Sequence, residues 1–406
     1  MAKPSFITGL DIGTGSIKGL TVLKKQDALS FEVLGRSEKF SLGIRKGVIV
    51  DPETVSKNIR WVLNQLENES GQKIQDVYVN LGGSHIFCTP SHGTVVVSRA
   101  DQKISKEDID RVLQSAQAFS LPLNKEIIEI FPKEFVVDGE GKIKQVEGMR
   151  GVKLEVDALA LCAFTPYFNN LTKAVLNSNV QVGDVLPSAL ASAKAVLTPE
   201  QKELGVVLID IGAGTTSLAI YQEGDLIHTA VFPVGSAHIT QDIAIGLQTD
   251  IDVAEKIKKQ FGTCILNGAG RNKKEKIFSA KNSSIVFSRK MLTKIIEARV
   301  SEIFNLVQKE IKKISPQLLL PAGVVLTGGG AKMPRIVELA KKNLKLPARR
   351  GTPQGFSAIE EDSSLSTVCG LVLEGADWSK EPYLSNFSAG KGIFGKLKKV
   401  FKIFIP

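Results

Sequence analysis

At 406 residues, 43% hydrophobic and 23% charged with a formal net charge of +10, the chain is ample for two or more compact domains with real cores. Its first residues, MAKPSFITGLDIG, lack the basic-then-apolar order of a signal segment, and no stretch is long enough to span a bilayer, so a cytoplasmic protein is expected. Cys88, Cys162, Cys264 and Cys369 are scattered without a CxxC, and His85, His92, His228 and His238 are isolated. This spacing indicates neither a zinc site, nor a disulfide framework, nor a nucleophile–base pair.

In chain order, FITGLDIGTGSIKGLTVL (6–23) comes first: two apolar strand-like runs broken by an acid, glycines, small hydroxyls and a lysine. Glycines at 13 and 15 suit a plain hairpin turn, and bare amides beside Thr14, Ser16 and Lys18 suit a phosphate-binding one; one copy leaves both readings open. DPETVSKNIRWVLNQLENES, from Asp51, predicts a capped amphipathic helix with Trp61, Leu63 and Leu66 on its core face, and DVYVNLGG a buried strand. Residues 84 to about 160 change character, with strands such as HGTVVVS, a helix over SKEDIDRVLQSAQAF, and KEIIEIFPKEFVVDG. A helix from Asn169 (NNLTKAVLNSN), a strand and SALASAKAVLT follow.

VVLIDIGAGTTSLAIY (206–221) then repeats the first hairpin. Asp210, Gly212 and Gly214 match Asp11, Gly13 and Gly15, 199 positions earlier, which suggests two related halves facing across a cleft. Farther on lie the helices DVAEKIKKQFG and SRKMLTKIIEARVSEIFNLVQKEIKKI. Between them NGAGRNKKEKIFSAKNSS clusters Arg and Lys, but only Phe278 offers an aromatic platform, so a solvated loop or hairpin is expected and no nucleic acid. GVVLTGGGAKMPRI (323–336) ends a strand in Gly328, Gly329 and Gly330, a turn that lets backbone approach a flat or anionic ligand.

The paired Asp-Ile-Gly-x-Gly hairpins and the late Thr-Gly-Gly-Gly-Ala resemble the actin, Hsp70 and sugar-kinase superfamily. That likeness implies an α/β, actin-like (duplicated ribonuclease H-like) two-lobed ATPase fold. SLGIRKGVIVDPETVSKNI, VYVNLGGSHI, ISKEDIDRV, VDGEGKI, GMRGVKLEV and TGGGAKMPRI sharpen the resemblance to the FtsA family, actin-like membrane tethers of bacterial cell division, from about residue 6 to 375. The resemblance implies a first lobe at 1–83, an inserted small α/β subdomain at 84–161, a second lobe at 162–229, and its insert at 230–315. The lobe resumes at 316–377, before a linker at 378–390 and a membrane-targeting helix at 391–406.

Hairpin chemistry together with that likeness implies ATP and Mg²⁺ as ligands. Asp11 and Asp210 would flank the phosphates and hold Mg²⁺ through water. Gly13, Thr14, Gly15, Ser16 and Lys18, faced by Gly212, Gly214, Thr215 and Thr216, would bind the phosphates. Gly328, Gly329 and Gly330 would border the adenosine with Lys332 nearby, and Glu255 and Lys258, one helical turn apart, would contact ribose and base; an ordinary surface ion pair is the plain alternative. VLPSALASAKAVL holds no acid between Val185 and Pro199 where a water-orienting group would stand, so slow or absent turnover is expected and no catalytic residue is assigned. Partners implied are the FtsZ tail on the second insert, where Glu297, Arg299 and Glu302 match the family pattern, other divisome proteins, and further copies of the chain in a filament.

The tail IFGKLKKVFKIFIP puts Ile393, Phe394, Leu397, Val400, Phe401 and Phe404 on one helical face and Lys396, Lys398, Lys399 and Lys402 on the other; Ile403 alone falls on the wrong side. Five lysines and no acid lie between Ala389 and Pro406. A basic amphipathic helix behind a polar tether suits an anionic membrane surface, with docking into a protein groove as the alternative. The expected place is thus the cytoplasmic face of the membrane at the division site. Two other functions fit parts of the pattern: a type IV pilus assembly platform of the same fold, and a small-molecule kinase.

Overall fold

The computed structural model describes residues 5–24, 30–266, 273–278, 284–314, 319–356, 359 and 361–380. It opens with β1 (Ser5–Ile12), β2 (Ser16–Lys24), β3 (Glu32–Phe40), the short strands β4 (Ile44–Arg45) and β5 (Val48–Ile49), α1 (Pro52–Ser70) and β6 (Asp76–Leu81). Next come β7 (Phe87–Val96), α2 (Lys106–Ser115), β8 (Lys125–Val137), β9 (Glu140–Ile143) and β10 (Lys153–Phe164). Then follow α3 (Thr165–Leu176), β11 (Gln181–Pro187), α4 (Ser188–Val196), α5 (Pro199–Leu204), β12 (Val206–Ile211), β13 (Thr216–Gln222) and β14 (Asp225–Phe232). The remainder is α6 (Ser236–Leu247), α7 (Ile251–Phe261), β15 (Lys274–Phe278), β16 (Ser284–Ser288), α8 (Arg289–Ile314), β17 (Val324–Thr327), α9 (Ile336–Leu344), β18 (Ala348–Arg350) and α10 (Ser366–Lys380).

Two compact units result, the first gathering residues up to Ser84, Asn170–Gly224 and Ala230–Ala376. It contains two sheets of matching construction. In one, β11-β6-β1-β2 run in that order, with an antiparallel hairpin β1–β2 and parallel pairs β1–β6 and β6–β11. In the other, β18-β17-β12-β13 repeat it, with β12–β13 antiparallel and β12–β17 and β17–β18 parallel. The duplication read from the two hairpins therefore extends to whole sheets. Strand β12 is buried along its length, as a strand covered on both faces must be.

Helix α1 shows why the local sequence folds as it does. The Asp51 carboxylate accepts the Thr54 N–H at 3.1 Å, Pro52 occupies the first helical position, and Gly71 ends the helix at φ +64°. Val55, Ile59, Val62, Leu63 and Leu66 are buried, and α1 lies so close to β2 that a Cβ on Gly19 would stand 2.5 Å from Leu66 Cδ1. Trp61 does not join this face. It is 42% exposed with the Lys39 ammonium 4.9 Å from its ring centre, because position 61 lies across the helix from Leu63 and Leu66. Leu66→Ala is therefore expected to cost about 2–5 kcal/mol in urea unfolding, and Trp61→Ala under about 1 kcal/mol; equal costs would contradict this packing.

Helix α10 is brought in by two glycines. A Cβ on Gly370 would meet Ala191 O of α4 at 1.7 Å, and one on Gly9 would meet Val368 O at 2.8 Å, so α10 packs against α4 and β1 at backbone distance. This close approach delivers its first-turn residue Thr367 to the site described below.

The second unit is built on His85–Asn169. Its strands run β7-β10-β8-β9, and alternate residues of β10, Leu154, Val156, Ala158 and Ala160, join Ile109, Val112 and Leu113 of α2 in one core. Helix α2 stops at Ser115 rather than Phe119. Gln117 N–H and Ala118 N–H bond back only three residues, to Gln114 O and Ser115 O, as the last turn tightens. Helix α3 starts at Thr165 rather than Asn169, because the chain turns directly out of β10 with Pro166 at the helix start. The basic segment after α7 includes the antiparallel pair β15–β16. No described helix is long and apolar enough to cross a membrane. The tail residues 391–406, with Ile393, Phe394, Lys396, Leu397, Lys398, Lys399, Val400, Phe401, Lys402 and Phe404, lie outside the described residues.

Candidate functional site

Both glycine hairpins close in the same way. Gly13 N–H donates to Ser16 O at 3.1 Å and Gly212 N–H to Thr215 O at 2.9 Å, so each turn leaves its strand directly after an aspartate and one isoleucine. The turns touch tip to tip: a Cβ on Gly15 would lie 2.8 Å from that of Ala213, and one on Gly214 would lie 2.7 Å from Thr14 Cγ2. The bare tips are thus needed for the fit between the halves. The strap before α1 holds the first turn, with Gly47 N–H donating to Thr14 Oγ1 at 2.8 Å and Ser41 N–H to Gly15 O at 3.2 Å.

Beneath the tips lies a cavity of about 230 Å³. Asp11, Gly13, Thr14, Gly15, Ser16 and Lys18 line it from the first half, and Asp210, Gly212, Thr215, Gly328 and Gly329 from the second. Asp11 and Lys18 are cross-strand neighbours, with Nζ 3.5 Å from Oδ2. Burial pushes the Asp11 carboxyl up and Lys18 pulls it partly back. Asp210 is driven up to about 6, mainly by burial and further by the charge of Asp11, against hydrogen bonds from Ser192 and Thr367.

The carboxylates are held by groups that the motifs did not single out. Ser192 Oγ and Thr367 Oγ1 donate to Asp210 Oδ2 at 2.5 and 3.1 Å, and Asn80 Nδ2 donates to Asp11 Oδ1 at 2.9 Å. Ser188, Glu38 and Ser236 also line the cavity. Asn80 alone had a sequence signal, an amide inside the apolar run VYVNL.

Six predicted residues are not in the lining. Gly214 is used in the tip contact. Thr216 is fully buried and donates its hydroxyl to Val234 O at 2.8 Å, since strand alternation turns it away from the face that carries Ser217. Gly330 packs beneath, where a Cβ would stand 2.4 Å from Ile211 Cγ2, and Lys332 pairs with Asp362 at 2.6 Å. Lys258 is buried and donates to Thr240 Oγ1 at 2.8 Å and Ser236 O at 3.2 Å while pairing with Glu255 at 2.7 Å. That network is a strut between α7 and the first turn of α6. The turn in turn grips the second hairpin through Ser236 N–H to Gly212 O at 2.8 Å and Ala237 N–H to Ala213 O at 2.9 Å.

On α8, Arg299 forks onto Asp242 of α6 at 2.6 and 2.9 Å and also holds Glu302, while Glu297 faces Lys342 at 3.3 Å. These three are joined to their own fold.

Two opposed buried carboxylates, backbone amides, hydroxyls and one lysine form a hard-oxygen environment. It fits a hydrated divalent cation, which Asp11 and Asp210 would hold, beside an anionic group that the amides and Lys18 would hold. Among the described residues there is no cluster of three His, Cys, Asp or Glu that could enclose a metal ion.

The chain from residue 207 to 370 matches the family model "Cell division protein FtsA", and residues 83–162 match "SHS2 domain inserted in FTSA". It is 35% identical to the cell division protein FtsA of Pseudomonas aeruginosa over 91% of this chain and 89% of that one. The chain belongs to the FtsA family.

FtsA of Bacillus subtilis is likewise 35% identical, over 92% of this chain and 84% of that one. Among solved structures, the PilM–PilN type IV pilus biogenesis complex superposes with TM-score 0.65 at 16% identity, covering 91% of this chain and 98% of that one. MreB5 of Spiroplasma citri bound to ADP gives 0.57 at 15%, covering 93% and 98%. These likenesses show the fold, which is the actin-like one with the SHS2 insert of FtsA, and a role in cell division follows from the family match. The pilus platform shares the architecture, while the sequence match over most of the chain falls to FtsA.

Proposed function

We propose that the cleft binds ATP with Mg²⁺, and that the nucleotide-closed protein polymerises head to tail on the cytoplasmic face of the membrane and tethers FtsZ filaments there during septum assembly. The observation that carries this reading is the facing pair of buried aspartates, each at the root of a glycine hairpin. Two buried like charges draw a cation between them, and the surrounding amides together with Lys18 suit an anion. The cation supplies charge neutralisation at the phosphates when bound. Lys18 and the hairpin amides would orient the phosphate chain, and the closed tips would exclude water.

Helix α4, at the position where efficient relatives of this fold place a water-orienting group, presents Ser188 and Ser192. Ser192 donates to Asp210, and the Ser188 hydroxyl points to Leu81 O at 3.3 Å, so neither offers a strong base. Slow or absent turnover follows from this reading. The region 230–315 would receive the FtsZ tail, 378–390 would serve as a tether and 391–406 as the lipid-binding helix.

The test is negative-stain electron microscopy on an anionic lipid monolayer with Mg²⁺-ATP, followed by addition of a peptide carrying the FtsZ C-terminal tail. Ordered filaments that bind the peptide are expected. Filaments that form equally well without nucleotide, or bare lipid, would overturn the reading.

A further inference from the structure

We infer that Asn80 is a positioning residue for the cation held at Asp11, an inference that rests on the nucleotide reading above. Three hydrogen bonds fix its amide without ambiguity. The Ile12 backbone N–H can only donate, and it lies 2.6 Å from the Asn80 oxygen, so Oδ1 accepts. The NH₂ end must therefore face its other two neighbours, Asp11 Oδ1 at 2.9 Å and Ser188 Oγ at 3.0 Å. Ser188, having accepted, points its own proton at Leu81 O. The chain of donors runs one way, and Asp11 Oδ1 stands at the end of one branch as a pure acceptor.

This arrangement does what a second cationic neighbour, added to Lys18, could not. An Arg or Lys at position 80 would also orient the carboxylate, but it would cancel the charge that draws a metal ion. A neutral amide holds one oxygen of Asp11 without adding to the positive charge of Lys18, whose Nζ stands 3.5 Å from Oδ2. Asp210 is treated in the same manner, its Oδ2 fastened by the neutral hydroxyls of Ser192 and Thr367. Asn80 is 4% exposed and otherwise an anomaly in a buried strand, where an apolar side chain would pack without the need for three partners. Its location on β6 places it beside β1, and its bond to Ser188 ties the carboxylate to the first residue of α4.

Removing an outer hydrogen-bond partner of a metal-holding group costs about 10–100-fold in metal affinity. The experiment is a Mg²⁺ titration of fluorescent ATP-analogue binding to the full chain, with Asn80→Ala, Ser188→Ala and the parent compared, and a second series in EDTA. Asn80→Ala is expected to need about tenfold more Mg²⁺ for half-maximal tightening. Its affinity in EDTA should equal the parent's, a split that general loosening of the fold would not produce. Ser188→Ala, which removes one anchor of the amide, should shift the requirement in the same direction by a smaller factor, and it decides the matter if Asn80→Ala does not fold. An unchanged Mg²⁺ requirement in the folded variants, with the parent responding to Mg²⁺, overturns the role of Asn80 alone. A parent that binds no nucleotide overturns the nucleotide reading and this inference together.

Discussion

Asp210→Asn is expected to make the nucleotide-free protein more stable at pH 8 while lowering Mg²⁺-ATP affinity by about a hundredfold or more. The two effects have one cause. Asp210 is buried opposite Asp11, and its carboxyl is driven up to about 6 from an ordinary 3.8. Between those values the folded protein keeps a proton that the unfolded chain releases, so stability falls as pH rises through that window. The penalty is absent below about pH 4 and complete above about pH 6, where it is on the order of 3 kcal/mol. An asparagine can still accept from Ser192 and Thr367 through its carbonyl, so the packing survives while the charge does not. Melting temperatures of parent and variant should thus converge near pH 4 and separate at pH 8, with the variant higher. A constant difference across that range, or Mg²⁺-ATP affinity unaffected by the substitution, would contradict the site as described.

Ending the chain at Ser388 is expected to abolish recruitment to anionic vesicles and leave nucleotide binding unchanged. The removed residues carry five lysines and no acid, together with Phe394, Phe401 and Phe404. Each lysine near an anionic surface contributes about 1 kcal/mol, so binding of the full chain should weaken sharply as salt shortens the Debye length. Cosedimentation with vesicles of rising phosphatidylglycerol content at low and high salt measures this. Equal sedimentation of the truncated chain would place the lipid contact elsewhere, and indifference to salt would argue for an apolar groove as the tail's partner.

Much of the site was legible because its chemistry is local. Asp11 and Gly13, like Asp210 and Gly212, are fixed within one hairpin by an i to i+3 hydrogen bond, so pattern and geometry coincide. Burial along helices was legible for the same reason where periodicity was followed strictly. Trp61 was misplaced because its size outweighed its position on the wheel. Lys258 and Thr216 show what residue type alone leaves out: within the fold their side chains bond to Thr240 of α6 and to Val234 O.

The sequence by itself determined the duplicated hairpins, the strand and helix succession, and membership in the FtsA family, since each rests on short-range pattern or on similarity spread along the chain. Only the tertiary structure decided which groups hold the two aspartates. Asn80 reaches Asp11 across 69 positions and Thr367 reaches Asp210 across 157. The meeting with Thr367 depends on Gly370 and Gly9 admitting α10 to backbone distance, and such a contact is set by how surfaces pack, which no local pattern encodes.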